Sequence, residues 1–326
     1  MSMVRRGALM ALAAVAAAGL LAGCGGPVTG GTKYVAQWTE YAGAGKIDHP
    51  EGLSVDGQGN LLVVDTWNNR VLRADGSGKL LTSFGERGSK AGQFMSPRSV
   101  TTDKDGNIYV VDNWNHRIEK FSKDGKFLMK FGKKGSPKGN NEAKGQFLYP
   151  YGIAVDSKGY VYVSDFDQNR IHKFNPKGEF VMMWGTEGRQ DGQFSKPAGL
   201  AIDKSDRLYV ADLGNDRVQA FRSDDTGKKP AMNFDGKWGE TGKDPGQFNR
   251  PYNVGVDGQG DVYVVEMGNH RLQKFTSSGK LVFVSGKWGE GENDLNCPIA
   301  VAVGADKAIY ISDLGNNRIL KWTPAS

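Results

Sequence analysis

The stretch from Pro150 to Phe174, PYGIAVDSKGYVYVSDFDQNRIHKF, holds three short apolar runs separated by two turns. Gly, Ser and Lys fill the first turn, and an Asp-x-x-Gln-Asn-Arg sequence fills the second. The same arrangement opens at Pro50, Pro97, Pro197, Pro251 and Pro298, so that the six prolines lie 47, 53, 47, 54 and 47 residues apart. A period of this length marks a repeat architecture. A fourth run closes five of the copies, ending in Phe84-Gly85, Phe131-Gly132, Trp184-Gly185, Trp238-Gly239 and Trp288-Gly289.

The runs are four to six residues long, rich in Val, Ile, Leu, Tyr and Phe, and bounded by Gly, Asp, Asn and Ser. They read as short strands joined by tight turns. No stretch after the N-terminus holds a helical apolar period over three turns, so the fold class is all-β. Three runs occur six times after the prolines but the fourth only five times. The missing copy stands in front of Pro50 as Lys33-Tyr-Val-Ala-Gln-Trp38. A six-bladed β-propeller explains this displacement, with four antiparallel strands per blade and the N-terminal strand completing the last blade. Closing the ring joins the two chain ends and leaves only short edges.

The proline, the Gly-x-[Ile/Leu]-Tyr-Val-x-Asp run, the Asn-x-Arg turn and the aromatic-Gly ending together resemble NHL repeats, over Lys33–Trp322. That family of six-bladed propellers includes bacterial envelope sensors, RNA-binding developmental regulators and, in diverged form, an amidating lyase. The resemblance implies the fold; folds host many activities, and the site must carry the function.

Residues 1–23 place Arg5 and Arg6 before an Ala/Leu-rich segment that ends in Leu21-Ala-Gly23, the pattern of an export signal. Leu21 to Cys24 resembles the lipobox of bacterial lipoproteins, which implies acylation of Cys24. Residues 24–32 then form a tether and 33–326 the propeller. The expected protein is exported and membrane-anchored through lipid on Cys24, facing periplasm or cell surface. Gly25, rather than Asp, after Cys24 favours the outer membrane under the sorting rule of enteric lipoproteins. Cys297 is then the one other cysteine, so no intramolecular disulfide forms and stability rests on the core. Loss of residues 1–23 leaves 40 basic against 36 acidic residues. This mild excess suits anionic lipid or cell-wall polymer without requiring it. An exported chain does not meet RNA, which sets nucleic acid aside.

Whatever recurs in every blade is first a structural requirement. The acid and Arg of the Asp-x-x-Asn-x-Arg turn can satisfy the turn's backbone and each other. His116 and His270, in the variable slot of that turn, and His172, in a third strand, read as surface or strand residues. Phe94, Phe147, Phe194, Phe248, Ile47 and Leu295 read as plugs between blades, and the Trp-Gly and Phe-Gly endings as packing of the same kind. The departures carry more information. In an up-and-down propeller the crossing into each proline and the turn between second and third strands share one face. That face gathers Arg98, Tyr151 and Tyr252 near the axis, and Trp67, Asn113, Trp114 and Phe166 on the turns. Aromatic residues beside arginine compose a recognition surface. The expected ligand is an envelope protein, peptide or glycan. Two Lys- and Gly-rich insertions, Lys133–Lys144 and Ser223–Pro230, read as solvated loops on opposite faces.

Catalysis finds little support. The three histidines that hold zinc in the amidating lyase have no counterpart, because only His49 precedes a proline. Calcium-dependent lactonases of the senescence-marker propeller type use Glu, Asn and Asp ligands, and Glu51, Asn253 or Asn113, and Asp167 are the matching candidates here. They define the alternative function, a Ca- or Zn-dependent hydrolase, lactonase or lyase at the channel mouth. On the binding reading no cofactor is needed. Cys297 with His49 is a remote third arrangement.

Overall fold

The computed structural model describes residues 31–135, 144–225 and 229–325. The signal sequence, Cys24, most of the tether and the central parts of both insertions lie outside the described residues.

Six four-stranded antiparallel sheets stand around an axis. Blade 1 is typical: Pro50–Val55 lines the axis, followed outward by Leu61–Asp65, Arg70–Ala74 and Leu80–Phe84. Blade 6 consists of Pro298–Val303, Ile309–Asp313 and Arg318–Pro324, with Thr32–Trp38 as its outer strand. Register pairs run from Thr32 with Pro324 to Trp38 with Ile319. The displaced strand therefore closes the ring as the sequence indicates.

Second strands are buried along their whole length because both faces of a blade pack on neighbours. Their near-continuous apolar runs follow from this. Each crossing then folds a plug back into the blade interface. Phe94, Phe147, Phe194, Phe248 and Leu295 are fully buried, and each pairs in parallel with a residue seven or thirteen positions earlier. The glycine ending each fourth strand makes room for its plug. At Gly85, φ is +93° and a Cβ would lie 2.4 Å from the Phe94 ring.

The same geometry corrects one sequence expectation. In blade 5 the outer strand is Leu281–Ser285, and Gly286 is the glycine that Leu295 covers. Trp288-Gly289 is therefore no strand ending. Trp288 belongs to the crossing, and its side chain is exposed.

The recurrent acid and Arg form a buried ion pair in five blades, with Asp65–Arg70 at 2.7 Å and Asp112–Arg117 at 2.8 Å. Each arginine also donates to carbonyls of the preceding crossing; Arg117 reaches Ser89, Lys90 and Gln93. Blade 3 departs. Asp165 accepts the N–H groups of Leu148 and Tyr149 at 2.8 and 2.9 Å, and burial pushes its carboxyl up to about 6. Arg170 turns to the Met183 sulfur at 3.2 Å.

The variable slot of the turn has a function that the sequence reading missed. Asn69, His116, Asn169, Asp216, His270 and Asn317 all take left-handed φ between 48° and 55°. Five of them are close to the next crossing: Asn317 accepts from His49 N at 3.0 Å, Asn69 from Ser96, Asn169 from Lys196, Asp216 from Arg250, and His270 Nδ1 from Cys297. His116 is the exception, since Tyr149 N is already held by Asp165. His270 and its equivalents are thus latches between blades. His172 is fully buried against Phe147, 5.0 Å between centroids, and burial drives its pKa down to about 3.

Third strands carry a second buried polar position. In blades 4 and 5, Gln219 and Gln273 each accept a crossing glycine N–H and donate to a crossing carbonyl. Blade 2 has Glu119 there, which accepts from Gly92 N at 2.9 Å but cannot donate while ionised. Burial, only partly opposed by Arg117, pushes its carboxyl up to about 7. A carboxyl raised above its unfolded value adds stability at low pH that is lost as pH rises through about 7. Glu119→Gln should therefore melt above the parent at pH 8, by on the order of 1 kcal/mol, with the gain vanishing at pH 5. Melting curves at the two pH values check this.

Candidate functional site at the proline-side mouth

The crossings and the second turns do share one face. Trp67 N donates to Asp48 O at 3.2 Å, Trp114 N to Met95 O at 3.1 Å and Phe166 N to Tyr149 O at 3.0 Å. These bonds fix the turn residues above the crossings.

At the axis, Arg98 of blade 2 reaches both ways around the ring. Its Nη1 is ion-paired with Glu51 of blade 1, and its Nη2 donates to the Tyr149 hydroxyl of blade 3 at 3.0 Å. The other Glu51 oxygen accepts from the Tyr151 hydroxyl at 3.1 Å. Tyr252 meets Tyr151 edge to face at 5.5 Å, and Phe166 lies 5.8 Å from Tyr151. Burial disfavours charge on Arg98, but Glu51 outweighs it and holds the guanidinium more firmly protonated. Burial raises the pKa values of Tyr149, Tyr151 and Tyr252, so all three hydroxyls stay neutral. Farther along the axis, a cavity of about 230 Å³ is lined by the distal parts of the six first strands.

Of the residues expected to make contact, the structure brings Arg98, Tyr151, Tyr252 and Phe166 together. Tyr151 is only 4% exposed, however, and supports the cap from beneath. Asn113 is also buried: its Nδ2 donates to Pro150 O at 2.7 Å, tying blade 2 to blade 3. Thr66 makes the corresponding bond to Pro97 O, and Ser312 to Pro50 O. Trp67 and Trp114 lie on the turns of adjacent blades, 61% and 59% exposed. Trp67 is held flat on the His49 ring, 3.3 Å between centroids and 11° between planes, and Asp48 holds His49 Nδ1 at 2.9 Å. In blades 4, 5 and 6 the matching positions are Gly214, Gly268 and Gly315. The exposed aromatic surface is therefore one-sided. Tyr149, which flanks Pro150 on the same face, completes the axial cluster.

The oxygen-ligand candidates are dispersed in their contacts. Glu51 is engaged by Arg98 and Tyr151, Asp167 is exposed on its turn, and Asn253 packs against Gly199. Among the described residues no group of three or more His, Cys, Asp or Glu is placed to hold a metal ion. His49 is occupied by Trp67 and Asp48, and the Cys297 backbone by His270.

The NHL repeat model matches residues 48–73, 94–121, 147–174 and 194–221. A segment of 56 residues is 43% identical to the B-box type zinc finger protein ncl-1 of Caenorhabditis elegans, covering 17% of this chain and 7% of that protein. Another of 63 residues is 38% identical to Protein brain tumor of Drosophila melanogaster, covering 19% and 6%. The chain thus spans less than a tenth of the length of these curated relatives. Among solved structures, a streptogramin B lyase superposes with a TM-score of 0.58 at 15% identity, covering 90% of this chain and 97% of that one. A gluconolactonase from Xanthomonas campestris gives 0.61 at 14%, covering 88% of each. A protein of unknown function from Bacteroides thetaiotaomicron gives 0.64 at 16%, covering 90% and 72%. At these identities the likeness is one of fold. Four matched repeats, continued by two blades of the same pattern into a closed ring, make this chain an NHL-repeat six-bladed β-propeller.

Proposed function

We propose that this propeller is a binding or scaffolding module of the cell envelope, anchored by lipid on Cys24, which recognises a protein, peptide or glycan on its proline-side face. The observation that carries the reading is the pair of exposed indoles on the turns of neighbouring blades, Trp67 stacked on His49 and Trp114 on the next turn, on the face whose axis holds the Arg98–Glu51 pair. Rigid aromatic planes supply contact area at little cost in conformational entropy. Because they are exposed, they can be removed without touching the core. Trp67→Ala with Trp114→Ala should abolish partner capture in envelope extracts and shift stability by less than about 1 kcal/mol. Capture by the double variant at the parental level sinks the reading.

A second reading rests on Glu51, a buried carboxylate at the mouth of a fold shared with a lyase and a gluconolactonase. Here Glu51, Asn253 and Asp167 would hold calcium or zinc for a hydrolase, lactonase or lyase reaction. The cation would have to displace the Arg98 guanidinium, which is why this reading ranks second. Elemental analysis of residues 25–326 and of the Glu51→Ala variant tests it. About one equivalent of metal, lost in the variant, favours the enzyme; no metal in the parent leaves the binding module.

A further inference from the structure

One large apolar side chain stands apart from the proline-side cap. Trp288, 69% exposed, is the most exposed large hydrophobic residue described. It pairs through the backbone with the plug Leu295. The equivalent crossing positions in the other blades, each paired with its own plug, are Arg87, Lys134, Glu187 and Thr241. Four blades place a polar side chain at this point of the perimeter. The fifth places an indole that nothing in the blade uses.

What distinguishes that point is the exit of the N-terminal segment. The backbone of Gly31 accepts from Ala325 N at 2.9 Å, which pins the start of the closing strand. A Cβ on Gly31 would lie 3.5 Å from the Ser285 hydroxyl, at the end of the blade 5 outer strand. Trp288 follows Ser285 by three residues, at most about 11 Å of extended chain. Cys24 precedes Gly31 by seven residues, a span of at most about 25 Å. A domain of this size is roughly 50 Å across. A lipid on Cys24 therefore keeps Gly31, and the perimeter between blades 5 and 6, within about 25 Å of the bilayer surface.

The geometry points to Trp288 as a lipid-contacting residue that orients the propeller on the membrane, resting on the reading that Cys24 is acylated. The tether brings the perimeter between blades 5 and 6 to the bilayer, and the indole enters the headgroup layer, where tryptophan's apolar ring and N–H donor are both satisfied. Lys33 and Lys287 are exposed nearby, but so are Glu290 and Glu292. Lys287 also faces Asp294 at 3.8 Å, so the local charge is not positive and the contact is made by the ring and not by attraction to anionic lipid.

The test uses the full chain extracted from membranes and placed in phosphatidylcholine vesicles with brominated acyl chains. The mass of the N-terminal peptide reports acylation independently. The expected result is an acylated Cys24, quenching of the parent fluorescence, loss of most of that quenching in Trp288→Phe, and none of the loss in Trp67→Phe or Trp114→Phe. Adding anionic lipid should leave the pattern unchanged. Unaltered melting temperatures show that each variant is folded. An acylated chain whose quenching survives Trp288→Phe, or disappears with Trp67→Phe, overturns this proposal and leaves the anchor standing. An unmodified Cys24 overturns both.

Discussion

Deletion of Lys33–Trp38 is expected to abolish the cooperative unfolding transition of the monomer. The segment supplies the outer strand of blade 6 and is paired along its length with Arg318–Pro324. Trp38 stacks on Tyr310 with centroids 6.3 Å apart, and Tyr34 packs on the cluster that contains Trp322. Gln37 receives the Arg318 guanidinium at 2.9 Å. Without the segment, Arg318–Pro324 becomes an open edge beside a core that has lost its cover. Such an edge pairs with another chain. Calorimetry with light scattering should show either no transition or dimers and larger species. A truncated monomer melting cooperatively at the parental temperature contradicts ring closure by this strand.

Arg98→Ala is the second large effect, and it concerns stability before binding. Glu51 is 6% exposed, and removing its guanidinium leaves a buried carboxylate whose remaining partner is the Tyr151 hydroxyl. Breaking a buried ion pair from one side costs about 3–5 kcal/mol, roughly 10 °C in Tm for a domain of this size. Glu51→Gln added to Arg98→Ala should recover most of that loss, because the stranded charge is then gone. A cycle of parent, both single variants and the double variant measures the coupling. An Arg98→Ala chain as stable as the parent shows that the pair does not hold the cap. Because Arg98 and Tyr151 are structural in this way, their removal is no clean probe of recognition; Trp67 and Trp114 are.

The fold was legible because the sequence states it six times. The prolines set the period, and the fourth run missing from the end and found at Lys33 set the closure. The composition of the proline-side face was also legible, since up-and-down strands allow one assignment of the turns. What stayed hidden was how residues divide between holding and presenting. Asn69, His270 and Asp216 look unlike one another, yet each combines a left-handed backbone with an acceptor that reaches the next crossing. That shared property is a conformation and leaves no single residue type in the alignment of blades. Tyr151 and Asn113 carry polar atoms that suit a contact surface, but the close approach of first strands at the axis buries Tyr151 and the bond to Pro150 of the next blade takes in Asn113. Trp288 followed by Gly289 imitates the other strand endings, and only the packing of Leu295 on Gly286 places it in the crossing. Blade 3, where Asp165 gives up its arginine for the N–H groups of Leu148 and Tyr149, follows the longer crossing before Pro150. No pairwise comparison of turns predicts that exchange.

The central claim is that the face bearing Trp67 and Trp114 meets a partner. Site-specific photo-crosslinking in intact cells tests it most directly, with the reactive group at Trp67, at Trp114 and, as a control, at Lys104 on the opposite face. The account predicts discrete adducts of one mass from both tryptophan positions and none from Lys104. Adducts from Lys104 alone, or no adduct from either tryptophan position, contradict it.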